Sequence, residues 1–385
     1  MSSKRALLIT LLAGLICAGF FVSGYGFATL QAQNNSDFSL LEEALTILES
    51  HAYIDPPPGN ARQYGMIRGL VSAYNDPYTI FIEPAQHELE SDDLRGEFGG
   101  VGVRIEQNLD GQHLLYPLPD SPAIQAGIQD GDILLAVDQM EIHAETHIED
   151  IQAALRGRKG TKVNVRVLAA VNAQEIEYTL ERTTYPIPSV IWNLDDDEPR
   201  LGIIHITRMS GTTVDEIRRA VQDLSNREAA FFVLDLRDNP GGLLDAGIDT
   251  ARLFLQTGVI IEQQYKDQPV EASRITKPGE FSDLPLAVIV NGGTASAAEL
   301  VAGAIKAHQR AKIYGQPTYG KDTLQLVFEL HDQSSIHVTA AKWWVPHLDP
   351  PIGGNGVIPD EITNPDDASP KPEIEAIIRA QFPQP

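Results

Sequence analysis

The sequence predicts a mixed chain of α+β and α/β architecture, with an N-terminal helical segment, a small β-rich module and a larger α/β core. Three observations predict it. Apolar residues between positions 39 and 74 recur at helical spacing. Short alternating strands separated by glycine turns follow from about position 94. Beyond position 200, apolar runs of strand length alternate with helical patterns, as in an α/β sheet.

Composition and charge exclude several classes of function. The chain has 385 residues and a net charge of −24, with no basic stripe to neutralise phosphates, so we expect no nucleic-acid partner. Its single cysteine, Cys17, rules out a disulfide within the chain. There is no Walker sequence and no paired Cys/His motif, and we therefore expect no metal and no organic cofactor.

The first 35 residues predict export or membrane anchoring. Lys4 and Arg5 precede an uncharged run from Ala6 to Ser36. Its most apolar part, Ala6 to Val22, is extended by Gly24 to Leu30 and has a length close to the ~20 residues that span a bilayer. No convincing small-x-small cleavage site follows, so a retained signal anchor is the first interpretation and a cleaved signal peptide the second. Both place the rest of the chain outside the cytoplasm, in the cell envelope or periplasm.

Residues 36–93 form the predicted N-terminal helical segment. Ser39 to Ala52 has helical periodicity, which Pro56-Pro-Pro-Gly59 interrupts. A second helix is predicted from Ala61 to Tyr74, where Asn75-Asp-Pro77 ends it.

Residues 94–183 read as a self-contained β module. Its predicted strands are Val101–Ile105, His113–Tyr116, Ile133–Val137, Lys162–Leu168 and Glu175–Glu181, with helices after Ser121 and over His147–Leu155. The glycine-rich run before the first strand lacks the third glycine of a dinucleotide site. It suits a loop that offers N–H groups to a peptide carboxylate, and an ordinary β-turn is the alternative. The candidate peptide-binding residues are Gly99, Gly100, Val101, Gly102 and Val103.

Residues 184–365 form the predicted α/β core, and a C-terminal tail, 366–385, contains a short helix. Pro186 to Arg200 reads as a linker or irregular entry. The elements predicted after it are strand Leu201–Ile206, helix Thr213–Leu224, strand Ala229–Leu234, helix Leu244–Leu255, strand Pro285–Asn291, a helix from Thr294 to about Arg310, and strands near Lys312, Leu324 and Ile336.

A serine and a lysine in this core have the setting of a catalytic pair. Ser296 stands where a strand passes into a helix, so unpaired N–H groups and the helix dipole surround it. Lys321 follows twenty-five positions later in a short loop. A lysine kept neutral by burial can activate a serine without any histidine. Gln325 can orient the lysine ammonium, as aspartate orients histidine in a triad. The alternative for an isolated pair is a helix cap and a solvated loop residue.

The turn Asp235-Leu-Arg-Asp-Asn-Pro-Gly-Gly242 supplies the remaining chemistry. It ends one strand of the same core, and its two glycines let the backbone approach a ligand closely. N–H groups at Gly241 or Gly242, together with the N–H of Ala297, would form an oxyanion hole. A plain strand-to-helix turn is the alternative.

Together these residues resemble the carboxyl-terminal processing peptidases, or tail-specific proteases, from about residue 38 to residue 360. The module from Gly96 to Arg182 resembles the PDZ domain of that family. The core motifs that match are Asp76-Pro-Tyr-Thr79, Asn239-Pro-Gly-Gly242, Thr294-Ala-Ser-Ala-Ala-Glu299, Gly320-Lys321 with Gln325, and Gly356-Val-Ile-Pro-Asp360. One departure is Asp322, which replaces a small residue and would hold Lys321 protonated if its carboxylate faced inward.

The resemblance implies a crotonase/ClpP-like serine protease core with Ser296 as nucleophile and Lys321 as base. The implied partners are protein or peptide substrates with free apolar C-termini, and an oligomer is compatible with it. Two other functions compete: a catalytically silent PDZ-containing peptide-binding scaffold, and a crotonase-like acyl-CoA enzyme. The presence of Ser296, Lys321 and Gln325 argues against the scaffold, and the export signal argues against acyl-CoA chemistry.

Overall fold

A computed structural model describes residues 38–57, 60–363 and 371–381. The predicted signal anchor, residues 1–35, lies outside these ranges. None of the helices in the described ranges is both long enough and apolar enough to cross a membrane. The chain divides into two compact units after Ile67.

The first unit contains helix α1 (Ser39–His51) and the beginning of α2 (Ala61–Ser72). Both helices were expected from their periodicity. α1 buries none of its side chains, although Leu40, Leu41 and Leu48 form an apolar side. The remaining elements belong to the second unit.

The β module is an antiparallel sheet closed by two short helices. Strands β3 (Val103–Gln107), β4 (His113–Pro117), β5 (Asp132–Val137), β7 (Lys162–Leu168) and β8 (Glu175–Glu181) pair in that order, and β6 (Met140–Glu141) pairs with β5. Helices α4 (Pro122–Ala126) and α5 (Ile148–Leu155) contribute Ala123, Ile151 and Leu155 to its core. β3 is an edge strand of this sheet.

A helix and a two-stranded ribbon accompany the module. Helix α3 (Pro84–Arg95) precedes it and ends at Gly96, whose φ of 77° is in the left-handed region that glycine favours. Strand β2 (Glu97–Gly100) then pairs with β9 (Thr183–Pro186), so the ribbon joins the two ends of the module.

The core sheet is mostly parallel and covered on both faces. Its order is β10 (Val190–Leu194), β11 (Leu201–Ile206), β12 (Phe231–Asp235), β15 (Leu286–Val290), β16 (Lys312–Gly315) and β19 (Glu361–Ile362), with only β10 antiparallel. Every residue of β12 and β15 is buried, as a two-sided parallel sheet requires. Helices α6 (Thr213–Asn226), α7 (Leu244–Phe254) and α8 (Ala297–Ala307) pack on one face, and α9 (Pro372–Gln381) packs on the other.

A second sheet contains the strand that follows the loop of Lys321. Its order is β1 (Ile80–Ile82), β18 (Ser335–Trp344), β13 (Val259–Tyr265) and β14 (Glu271–Arg274), and β17 (Thr323–Glu329) pairs with β18 from the opposite side. Because β18 is long, β1 and β13 share one of its edges and β17 takes the other.

Two expectations from the sequence were wrong at element level. Pro186–Arg200 is not an irregular linker, because β10 lies within it and completes the core sheet against β11. Val190 packs in the core of that sheet. The strand was not predicted because it is short and lies between prolines and acidic residues, which are typical of loops. The first module strand begins at Val103 rather than Val101, because Gly102 has a φ of 71°.

Candidate active site

Ser296 occupies a strained turn between β15 and α8. Its φ of 53° and ψ of −120° lie where residues other than glycine are rarely found. Gly241 approaches it so closely that a Cβ on Gly241 would lie 2.8 Å from the Ser296 Cβ. The strand-turn-helix geometry therefore holds the serine at the N-terminus of α8, where its neighbours leave N–H groups unpaired.

The buried carboxylate of Glu299 ties the serine to the lysine loop. It accepts hydrogen bonds from the backbone N–H of Ser296 at 2.8 Å and of Lys321 at 2.9 Å. The N–H of Gly320 and the hydroxyl of Thr318 donate to its other oxygen. Burial raises the pKa of Glu299, while these four donors lower it. Sequence reasoning noted Glu299 only as part of a motif and missed this function.

Lys321 is held by the glutamine expected to orient it. Its Nζ donates to Gln325 Oε1 at 2.6 Å, and Gln325 Nε2 donates to the carbonyl of Tyr78 at 2.6 Å. The Tyr78 ring lies 4.9 Å from the ammonium. A β-bulge in the β17–β18 pairing falls between Leu324 and Gln325, at the point where β17 turns Gln325 toward the lysine.

Two nearby carboxylates partly offset the effect of burial on the pKa of Lys321. Burial lowers the pKa of Lys321, whereas the carboxylates of Asp76 and Glu299 raise it. Asp322, the departure that suggested a protonated lysine, lies elsewhere: its Oδ2 would be 2.3 Å from a Cβ on Gly353. The carboxylates that oppose deprotonation are therefore Asp76 and Glu299.

The candidate oxyanion donors differ in whether their N–H groups already have a hydrogen-bond acceptor. The N–H of Gly241 donates to Asn239 Oδ1 at 2.9 Å, so it is already satisfied. The N–H of Met209 and the N–H of Leu243 bond across the turn, to the carbonyls of Gly241 and Met209 respectively. Among the described residues, the N–H groups of Gly242 and Ala297 have no such partner. Of the two glycines, Gly242 is the one that can donate to a substrate.

Ser296 and Lys321 line one cavity of about 880 Å³. No hydrogen bond joins their side chains within the described part of the chain; catalytic contacts often shorten only when substrate binds. The turn that contains Gly241 and Gly242, helix α3 and strand β17 form the walls of this cavity. The lining residues that matter below are Gly242, Leu243, Ser296, Lys321, Gln325 and Val327.

Neighbouring motif residues have structural functions. The Thr294 hydroxyl donates to the carbonyl of Leu236 at 2.7 Å, which leaves Ser296 as the accessible hydroxyl in its segment. Burial would raise the pKa of Asp235, but the His205 ring and the Arg237 guanidinium lower it to about 2. Arg237 also reaches Glu373 on α9 at 3.3 Å, so this pair fastens the C-terminal helix.

The expected carboxylate loop of the β module is shorter than the sequence suggested. Gly99 and Gly100 pair with Thr184 and Thr183 in the β2–β9 ribbon. Val101 is 2% exposed and belongs to the module core, so its side chain does not line an open pocket. The N–H groups of Val101 and Gly102 donate to no other described group. They and the free edge of β3, which starts at Val103, are the available binding groups.

Sequence reasoning also missed Tyr78 and Asp76. Both belong to Asp76-Pro-Tyr-Thr79, whose only signal was its resemblance to a family marker. The Asp76 carboxylate accepts from the N–H of Tyr78 at 3.1 Å and the hydroxyl of Thr79 at 2.6 Å, which fixes the carbonyl that holds Gln325. No group of three or more His, Cys, Asp or Glu side chains in the described ranges is arranged to hold a metal.

Comparison with known proteins gives two family matches. Residues 200–363 match Peptidase family S41, and residues 115–168 match the PDZ domain family. A carboxyl-terminal-processing protease of Synechocystis is 37% identical over 317 residues, covering 80% of this chain and 73% of the relative. The carboxy-terminal processing protease CtpA of Bacillus subtilis is 32% identical over 311 residues, covering 80% and 65%. The solved photosystem II D1 C-terminal processing protease is 28% identical, with a TM-score of 0.48 over 90% of this chain and 92% of its own.

Proposed function

Since this chain belongs to the carboxyl-terminal processing proteases of Peptidase family S41, PDZ-containing serine peptidases, we propose that Ser296 is its nucleophile and Lys321 its general base. One observation carries the assignment. Lys321, whose pKa burial lowers, is held by Gln325 in the cavity that Ser296 lines.

The reaction begins when neutral Lys321 removes the proton of the Ser296 hydroxyl. The alkoxide attacks the scissile carbonyl, and the N–H groups of Gly242 and Ala297 stabilise the oxyanion. Lys321 then gives its proton to the departing amine, and an acyl-enzyme remains on Ser296. Water, activated by the same lysine, hydrolyses the acyl-enzyme. Every proton transfer uses a group of this chain, so the sequence of steps balances without a cofactor.

In this proposal, the β module selects the substrate by binding its C-terminus. A free C-terminal carboxylate would accept hydrogen bonds from the N–H groups of Val101 and Gly102, and the preceding peptide would pair with the edge of β3. Gly99 and Gly100 support the loop through the ribbon rather than contact the ligand. The proposed substrates are therefore proteins or peptides with free C-termini, and the partly buried Val103 and Ile105 on β3 favour apolar ones.

We place the protein in the cell envelope. The reason is that two positive charges precede an apolar run within residues 1–35. We interpret this run as a retained signal anchor, and a cleaved signal peptide is the alternative. The domain division follows the same proposal: helical segment 36–93, PDZ domain 94–183, peptidase core 184–365 and tail 366–385. Separating membranes from soluble protein, with and without residues 1–35, tests the anchor.

The catalytic assignment is tested by incubating the chain without residues 1–35 with an unfolded protein and measuring cleavage. Ser296→Ala and Lys321→Ala should each abolish turnover, because nucleophile and base act as one unit. Gln325→Ala should retain partial activity, since it only orients the base. Lys342→Ala, at an exposed lysine of the same sheet, is the matched control. Turnover by Ser296→Ala or Lys321→Ala at the rate of the control would refute the assignment, and binding without cleavage by the unaltered chain would favour the scaffold.

A further inference from the structure

Strand β17 borders the catalytic cavity with one edge unpaired. Its residues 323–329 pair with β18 on one side, and no described strand pairs with the other. A free strand edge presents N–H and C=O groups that can accept another extended chain. The strand also carries Gln325, which holds the catalytic lysine.

The backbone groups on that free edge can be identified from the register. Thr339 lies opposite Gln325, and the Thr339 N–H donates to the Thr79 hydroxyl, on the far side of β18. In an antiparallel pair, Gln325 must then direct its own N–H and C=O away from β18. The alternation places Val327 in the same outward set. At the hairpin end, the N–H of Leu330 donates to Ser334, which confirms that even-numbered positions point inward.

The cavity extends along this strand and over one face of its sheet, where it also contacts His337 and Trp343 of β18 and Gln263 of β13. Successive strand residues point to opposite faces, yet five consecutive residues, 323–327, line the cavity. A space that touches all of them must reach the edge of β17 as well as a face of the sheet. Ser296 lines the same space, so a chain laid along β17 would pass the nucleophile.

The composition of β17 is unusual for an exposed edge. Soluble proteins protect free edges with charged side chains, above all lysine, with proline, with β-bulges or with inward-pointing charges. Thr-Leu-Gln-Leu-Val-Phe-Glu has a single charge, at its last residue, and Leu326, Val327 and Phe328 are 38%, 47% and 53% exposed. An apolar edge left open beside a nucleophile indicates that it is covered intermittently, by the chain on which the nucleophile acts.

We propose that the free edge of β17 is the main-chain docking strand of the peptidase: an extended segment of the substrate polypeptide adds to the sheet beside Gln325 and Val327, which presents its scissile bond to Ser296. This inference rests on the proposed function and adds how the substrate is held at the catalytic centre, separately from its capture by the β module. Because the contacts use main-chain groups, they accept any side-chain sequence and require only an extended, unfolded chain.

A proline substitution removes one docking donor and leaves the hairpin intact. Val327→Pro deletes an outward N–H, so no bond to β18 is lost, and proline is tolerated at such edge positions. Val327→Ala also removes the branched valine side chain but keeps the N–H. We expect kcat/KM for an unfolded protein to be about tenfold lower in Val327→Pro than in Val327→Ala. Equal values in two folded variants, compared by their unfolding curves, would overturn the proposal.

A second experiment uses the unaltered enzyme and does not depend on a folded variant. Peptide substrates carry one N-methyl group, moved one residue at a time away from the scissile bond. Strand pairing predicts that cleavage is lost at alternate positions, because only every second substrate N–H faces β17. A uniform effect, or none, would overturn the proposal.

Labelling with a serine-directed fluorophosphonate separates this inference from the proposed function. If the probe fails to modify Ser296 in the unaltered chain, the catalytic assignment fails. If it modifies Ser296 while N-methylation shows no alternation, only the docking strand fails.

Discussion

The carboxylate of Glu299 accepts four hydrogen bonds, three of them from backbone N–H groups. Two of the donors are the backbone N–H groups of Ser296 and Lys321, so a single buried side chain sets the spacing of the proposed nucleophile and the proposed base. A carboxylate has acceptor sites for all four donors, and an amide does not. Its negative charge also lies close enough to raise the pKa of the lysine.

Glu299→Gln should therefore impair both catalysis and folding. The amide nitrogen would face a donor, and at least one buried N–H or O–H would lose its acceptor, at a cost of ~2 kcal/mol in the free energy of unfolding. We expect peptidase activity to fall at least about tenfold. Urea unfolding and peptide cleavage measure the two effects. Glu280→Gln, which removes an exposed ion pair with Arg218, is the control and should change neither.

The charge near Lys321 predicts the direction of a pH shift. The reaction needs the neutral amine, so kcat/KM should rise with pH through the pKa of Lys321, and the optimum should lie above neutrality. Asp76 raises that pKa, so Asp76→Asn should lower it and move the rise to lower pH. Asp322→Asn should leave the profile in place, because its carboxylate lies beside Gly353. An equal shift in both variants would show that Asp322 also acts on the lysine.

At the scale of elements, the turn between β12 and α7 depends on the buried side chain of Asn239. Its Nδ2 donates to the carbonyl of Ile206 at 2.8 Å, and its Oδ1 accepts from the N–H of Gly241. These bonds fix the turn that holds Gly242, the proposed oxyanion donor, at the cavity. Removal of the side chain should misplace the oxyanion donor while the nucleophile and the base remain.

Asn239→Ala should therefore reduce kcat by about a hundredfold, the usual cost of one oxyanion donor, with a smaller change in KM. Steady-state kinetics on a peptide substrate would measure the split. Asn193→Ala removes an exposed asparagine and serves as the control. An effect confined to KM would mean that the turn binds substrate without stabilising the oxyanion.

The sequence predicted these elements unevenly, for physical reasons. Strands β11, β7 and β8 have strong apolar or alternating patterns and were predicted with the observed bounds. β10 was taken for a linker because it is a short edge strand between prolines and an acidic run. Helix α3, with its polar sequence, and the hairpin of β13 and β14 gave no clear periodicity and were not predicted.

At the scale of the whole molecule, the site combines distant parts of the chain. Ser296, Lys321 and Gln325 were predicted from local motifs: Ser296 stands where a strand passes into a helix, Lys321 lies in a short loop, and Gln325 follows it by four residues in β17. Tyr78 lies 247 positions before Gln325, and only the antiparallel pairing of β1 with β18 brings its carbonyl to the glutamine. No local pattern encodes that contact, so sequence reasoning could not assign Tyr78.

The β module predicts selection by the substrate's terminus. Amidating the C-terminus of a peptide removes the charge that the N–H groups of Val101 and Gly102 would receive, so binding should weaken by about tenfold or more. A terminal Asp or Lys should also weaken binding, because its charge would lie against the partly buried apolar side chains of Val103 and Ile105 on β3. Fluorescence anisotropy with the Ser296→Ala variant measures affinity without cleavage. Equal affinity for free, amidated and charged termini would contradict this function of the module.

The central claim, a serine activated by a lysine, is tested most directly by mass-spectrometric mapping of a fluorophosphonate adduct across a pH series. We predict one adduct, on Ser296, whose rate of formation rises as pH passes through the lowered pKa of Lys321. Lys321→Ala should lose the pH-dependent rise, and Ser296→Ala should carry no adduct. An adduct on another residue, or undiminished labelling of Ser296 in the Lys321→Ala variant, would contradict the account.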